Sequence, residues 1–236
     1  MNCFSGVIFD FNGTLFWDTA LHNQAWDIFL RQHNVSLSDD EKFRTLHGKN
    51  NQDILTGLFG SGLPPEKERA FILEKETFYQ QLCLQTRLTL APGAEDFFDF
   101  LKKAGIPFTI ATASGEENIR FYFKHLPLTR WFAPDSIVYN DGTIKGKPYP
   151  DIYRRAMQLI GCRPEETVVF EDAPSGLQAA ANADAGKIII VDSNNFTYSG
   201  WEKYSMIRDF SAVDRSLFHR KTPAEPAADL RLRQGS

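Results

Sequence analysis

Four short apolar runs are spaced along this chain with helix-length stretches between them: Val7-Ile8-Phe9, Phe108 to Thr112, Thr167 to Phe170 and Lys187 to Val191. Runs of this length, apolar at consecutive positions, are the pattern of strands buried on both faces. Between them, apolar residues at helical spacing predict helices from Ala94 to Gly105, over 116–124, from Pro150 to Gly161 and from Ser175 to Ala183. Strands and helices in alternation require right-handed crossovers between strands that all run the same way. The predicted fold class is therefore α/β, a Rossmann-like parallel sheet. Ser136 to Tyr139 reads as a short extended piece turning at Asp141-Gly142 into a hairpin toward Ile144. Asn194 to Phe218 reads as the segment that completes the core.

One long stretch carries no strand signal. After Asp18 and Thr19, which can cap a helix, Leu21, Ala25, Ile28 and Phe29 recur at helical spacing. Ser38 and Glu41 stand at capping-box spacing. Pro64-Pro65 opens a long helix whose inward face is Phe71, Ile72, Lys75, Phe78, Tyr79 and Leu82. An all-helical block placed between two strands reads as an inserted cap. The predicted division is 1–17 with 87–218 as a discontinuous core and 18–86 as the helical cap. Residues 219–236, with a Pro-Ala-Glu-Pro run, read as a flexible tail.

A chain of 236 residues has room for such a core and one insertion. Its net charge of −4 gives no electrostatic footprint for nucleic acid. No run approaches the roughly 20 apolar residues of a membrane span. Cys3, Cys83 and Cys162 are scattered, without a Cys-x-x-Cys pair, which fits a reducing compartment. No basic and apolar leader precedes the first strand, so the cytoplasm is the expected compartment. A monomer is the expected state.

The residues that follow the strands carry the chemistry. Asp10 ends the first strand, where open α/β sheets place their ligands, although Asp10 and Gly13 are also ordinary turn residues. Thr112, Ala113 and Ser114 follow the second strand, where hydroxyl and N–H groups either cap a helix or hold an anion. Glu171 and Asp172 follow the third, and unpaired acidic residues are costly to bury. Lys147 stands in Gly146-Lys-Pro-Tyr-Pro-Asp151, where the prolines fix the chain.

Asp10-Phe-Asn-Gly-Thr-Leu15 resembles the first signature of the haloacid dehalogenase (HAD) superfamily, Asp-x-Asp-Gly-Thr/Val. Thr109-Ile-Ala-Thr-Ala-Ser114, Gly146 to Asp151 and Val168-Val-Phe-Glu-Asp-Ala-Pro-Ser-Gly176 resemble the second, third and fourth, in the family's order. The resemblance implies that Asp10 is a nucleophile that becomes phosphorylated, with Thr112, Ala113 and Ser114 holding phosphoryl oxygens. Lys147 would offset the repulsion between the two anions. Three carboxylates facing one phosphate call for a hard divalent cation, and Mg²⁺ fits. Its ligands would be Asp10, Asp172, the backbone carbonyl of Asn12, and Glu171 directly or through water.

The cap placement and Asp18 to Trp26 resemble the β-phosphoglucomutase/phosphoglycolate phosphatase branch, which puts His22 at the place of a lid histidine. Three positions depart from the pattern. Asn12 stands where the family has the Asp that donates and accepts protons, a function an amide cannot perform. Asn51 stands where the branch has a basic lid residue, and Gly115-Glu116-Glu117 lacks the mutases' polar-basic sequence. The implied function is a Mg²⁺-dependent phosphohydrolase of a small phosphorylated metabolite, with His22 first in line to supply the missing proton. A phosphomutase, a catalytically impaired phosphoryl-binding protein and a haloacid dehalogenase remain as alternatives. Asn12→Asp is expected to raise phosphatase activity about tenfold or more.

Overall fold

In the computed structural model, which describes residues 3–219, the apolar runs form β1 (Gly6–Phe9), β2 (Phe108–Ile110), β3 (Thr167–Glu171) and β4 (Lys187–Val191). A fifth strand, β5 (Ser205–Ile207), comes from the segment after Asn194. All pairings are parallel, in the order β2-β1-β3-β4-β5, with Phe9 opposite both Ile110 and Phe170. The helices are α1 (Thr19–Gln32), α2 (Asp39–Thr45), α3 (Asn51–Phe59), α4 (Pro65–Leu84), α5 (Ala94–Ala104), α6 (Glu116–His125), α7 (Asp151–Leu159) and α8 (Pro174–Asn182).

Side chains alternate across a strand, so neighbours along β1 and β3 feed different cores. Val7, Phe9, Val168 and Phe170 join a cluster with α5 and α6, while Ile8 and Val169 join one with α7 and α8. Much of the chain's phenylalanine fills the first of these. Phe9 contacts the rings of Phe97, Phe98, Phe170 and Phe210 at centroid distances of 5.2–5.9 Å. Truncating one such ring costs about 3–5 kcal/mol, so this face rigidly sets the height of Asp10, the next residue after β1.

The segment around Asp141 differs from expectation. Val138 pairs in parallel with Ala111, extending the sheet beside β2, and Thr112 N–H donates to the Val138 carbonyl (2.9 Å). There is a turn at Gly142 (φ +78°), but no hairpin forms among the described residues. Ile137 and Val138 are buried against the core, and Asp141 closes the turn through its own side chain, accepting from Thr143 N–H (2.9 Å) and pairing with Arg155. The tail expected over 219–236 lies, apart from His219, outside the described residues.

Thr19 to Leu84 contains helices and no strand, and it has its own hydrophobic cluster of Trp26, Phe29, Leu30, Leu46, Ile54, Leu55 and Phe71. The capping box at Ser38 and Glu41 forms. Asp18 makes no capping bond to α1; its carboxylate is used elsewhere. The chain enters and leaves this helical cap side by side, joined by a hydrogen bond from Ala91 N–H to the Leu15 carbonyl (2.7 Å).

The cap is seated closely on the core. Ser175 Oγ donates to the His47 carbonyl (2.9 Å), and Gly48 (φ +70°) fits against Ala173 and Ser175. Gly146, the residue before Lys147, fits against Asn50 and Asp53, and a Cβ there would collide with both. Gly146→Ala is therefore expected to hold the cap off its seat and lower kcat/KM about 10- to 100-fold. The check is steady-state kinetics beside a thermal melt: a fall in Tm with unchanged kinetics would show that the contact serves stability alone.

Candidate active site

In a doubly wound sheet with this strand order, the binding crevice opens beyond the carboxyl ends of β1 and its neighbours. Asp10 N–H donates to the Phe170 carbonyl (2.9 Å), which ties it to the end of β3. Asp10, Glu171 and Asp172 are all buried, and each offers an oxygen within 4.8 Å of the others. Lys147 is fully buried between two of them, its Nζ donating to Asp10 Oδ1 (2.5 Å) and Glu171 Oε2 (2.7 Å). Glu171 also accepts from Tyr153 OH (2.5 Å) and from the N–H groups of Asp172 (3.2 Å) and Ala173 (3.0 Å). The Asp172 carboxylate accepts from Thr14 Oγ1 (3.1 Å). Gly13 (φ +80°) and Gly176 make room for the pair, because a Cβ at either would collide with the Asp172 or the Glu171 carboxyl group.

Carboxylates outnumber cations here, and two of them are shifted upward. Burial, then repulsion from Glu171, raises Asp10 to about 7 against the opposing pull of Lys147. Asp172 is raised well above the ordinary range by burial, then by Glu171 and Asp10. Burial works against the charge of Lys147, but Asp10 and Glu171 outweigh it and raise its pKa.

The Asn12 amide is fully engaged inside the protein. Its Nδ2 donates to Asp18 Oδ2 (2.6 Å) and Tyr122 OH (2.7 Å), and its Oδ1 accepts from Ser114 Oγ (2.7 Å) and Thr112 Oγ1 (3.4 Å). Asp18 has no exposed side-chain surface; it also receives Gly13 N–H (3.1 Å) and Tyr79 OH, and His22 Nε2 lies 3.3 Å from it. Buried donors that need an acceptor outcompete the capping role expected for it.

An open cavity, about 640 Å³ with the solvent at its mouth included, separates this floor from the cap. Asp10, Asp172 and Ser114 line it from the core, and His22, Lys75 and Glu76 from the cap. Of the expected site residues, Asn12 and Ala113 also line it, while Thr112, Lys147 and Glu171 are buried behind its wall. Lys75 and Glu76 were not expected at the site. Lys75 Nζ donates to Glu76 Oε1 (2.9 Å) and His22 Nδ1 (2.9 Å), over the rings of Trp26 (5.1 Å) and Tyr79 (5.3 Å). Glu76 accepts further from Asn51 (2.7 Å) and Asn118 (2.8 Å). Burial would raise Glu76, but Lys75, His22 and these two amides bring it down to about 2. A lysine on a helix face otherwise read as apolar was the available signal.

A family model described as haloacid dehalogenase-like hydrolase matches residues 4–184. The chain belongs to this family. The hydrolase is 33% identical to hexitol phosphatase A of Escherichia coli over 194 residues, covering 80% of this chain and 84% of that protein. It is 27% identical to a phosphorylated carbohydrates phosphatase of Thermotoga maritima, over 77% of this chain and 82% of that one. Among solved structures, an HAD hydrolase of family IA, variant 3, from Entamoeba histolytica superposes with a TM-score of 0.78 at 34% identity, over 92% of this chain and 97% of that one. Both of these curated relatives are phosphatases by name. No helix of the described residues is long and apolar enough to cross a membrane.

The donor set fits a hard divalent cation: oxygen atoms alone, in excess of positive charge, with a carboxylate at Asp172 that accepts one hydrogen bond. The raised Asp10 supplies a pH test. Below the unfolded value of about 3.9 both states are protonated; between there and about 7 the metal-free folded state holds a proton the unfolded chain has lost. The stabilisation present at low pH is therefore lost as pH rises through 7. A cation bound there would have to displace that proton, so the apparent affinity for added Mg²⁺ should climb by up to about tenfold per pH unit between about pH 5 and 7. Calorimetric titration across that range would show it, and a flat profile would mean the carboxyl cluster is not where the ion binds.

Proposed function

We propose that this hydrolase removes phosphate from a small phosphorylated sugar or sugar alcohol through an aspartyl phosphate on Asp10, under a cap formed by residues 18–86. The observation that carries this reading is Asp10 itself: a carboxyl group held by Lys147 at 2.5 Å, beside Asp172, on the floor of the cleft under the cap. Mg²⁺ would be held by Asp10, Asp172 and the backbone carbonyl of Asn12, and would neutralise charge on the transferring phosphoryl group. Glu171 accepts four hydrogen bonds, which favours engagement through water and a role in holding Lys147. Asp10 attacks phosphorus in line, and Lys147 keeps the two anions from repelling each other. Ala113 and Ser114 face the phosphoryl oxygens, and Thr112 supports them by accepting Ser114 N–H (3.1 Å).

The sugar class rests on the phosphatases among the relatives and on the polar cap wall of His22, Asn51 and Glu76, which suits a hydroxyl-rich leaving group. The Asn51 amide is committed to Glu76, which weakens the mutase alternative, since a mutase needs a holder for a second phosphate. One observation favours a second reading, an impaired phosphoryl-binding protein: the Asn12 amide has no proton to give and no hydrogen-bonding capacity left. A panel of hexitol and sugar phosphates with Mg²⁺ separates the two. Metal-dependent phosphate release supports hydrolysis; binding of the esters without turnover leaves only the second reading.

A further inference from the structure

We propose that Lys75 carries the leaving-group proton that Asn12 cannot supply, with His22 and Asp18 as positioning residues behind it. This rests on the phosphohydrolase reading above and assigns its acid and base. The Asp18 carboxyl group accepts from Asn12, Gly13 and Tyr79 and lies 3.3 Å from His22 Nε2. The atom facing His22 Nδ1, at 2.9 Å, is Lys75 Nζ. A lysine ammonium has no lone pair to offer, so at their contact His22 presents its lone pair on Nδ1 and carries its hydrogen on Nε2, on the side of Asp18. His22 Nδ1 is taken by Lys75, its Nε2 lies against Asp18 at 3.3 Å, and its ring is stacked on Tyr79 at 3.8 Å, so the histidine expected to supply the proton holds the lysine instead.

An ammonium has three N–H groups. His22 and Glu76 take two, and among the described residues no hydrogen-bond acceptor takes the third, on a side chain that lines the same cavity as Asp10. In the first half-reaction an Asp10 oxygen bonds phosphorus, the ester P–O bond breaks, and the leaving oxygen takes a proton from Lys75 Nζ, giving alcohol and a neutral amine. In the second, water bonds phosphorus and gives a proton to that amine, and the bond from phosphorus to Asp10 breaks. Phosphate leaves, and the carboxylate and ammonium are restored.

The experiment compares a hexitol phosphate, whose alkoxide must be protonated, with acetyl phosphate, whose carboxylate leaves without a proton. Lys75→Gln and Lys75→Arg should each lower kcat on the hexitol ester about 100- to 10,000-fold and on acetyl phosphate by less than about tenfold. Arginine keeps the charge and the pairing with Glu76 but does not give up a proton. His22→Asn should show the same split with a smaller loss. Equal losses on both esters, or full activity of Lys75→Arg on the hexitol ester, overturn the assignment. The Mg²⁺-dependent rise in Tm of each variant reports that the metal site has folded. A wild type that releases phosphate from neither ester would sink the phosphohydrolase reading and this one with it; turnover without the split sinks this one alone.

Discussion

Asp10→Asn should abolish phosphate release, with a fall of about 10,000-fold or more, while leaving the chain folded. The amide is the same size as the carboxylate but is a poor nucleophile and cannot form the acyl phosphate. Lys147 keeps its partner Glu171, so its charge is not stranded. Burial and Glu171 push Asp10 up to about 7, so ionised Asp10 is under strain from its surroundings above that pH. The metal-free variant at pH 8 should accordingly melt no lower than the wild type, and its Mg²⁺-dependent rise in Tm should shrink. Phosphate release, paired melts, and the absence of label on protein incubated with radiolabelled ester are the measurements. Residual turnover within tenfold of wild type would place the nucleophile elsewhere.

Asn12→Asp tests the opposite intuition. From the motif alone this change restores a missing acid and should speed the enzyme. In the structure it replaces a donor with a second carboxylate, 2.6 Å from Asp18 Oδ2, with no exposed side-chain surface at Asp18. Two buried carboxylates at that distance cannot both ionise. The single variant should lose about 3 kcal/mol of stability, which for a chain of this size is a fall in Tm of about 6–12 °C, and should gain no activity at neutral pH. Adding Asp18→Asn returns one amide and one carboxylate to the pair. The double variant should recover most of the stability, and the double-mutant cycle measures the coupling directly. A single variant that is both stable and faster would show that the Asn12–Asp18 contact does not constrain the site.

The strands, their alternation and the residues that follow them were readable because each depends on local pattern: a consecutive apolar run, then Asp10, Thr112 or Glu171. The assembly of Asp10, Lys147 and Asp172 was readable through the resemblance of their segments to the family's motifs, since chain order alone does not give the spatial order β2-β1-β3. What escaped were side chains whose work depends on a distant partner. Asp18 looks like a helix cap until Tyr79, 61 residues away, is seen donating to it. Lys75 looks like one more residue on a helix face until Glu76 and His22 are placed around it. The expected hairpin at Asp141-Gly142 failed for a related reason: the dipeptide specifies a turn, but Val138 found its partner in Ala111 rather than across that turn.

The bond between Ala91 and Leu15 means that the cap hangs from two crossings of the chain that touch. Adjacent pivots permit a swing about one axis rather than a lift straight off the core. Such a swing would carry Lys75, on α4, away from Asp10, while Lys147 and Asp172 stay with the sheet. An open mouth would thus expose the nucleophile to bulk water without its proton source, and chemistry would begin only once a guest had been enclosed.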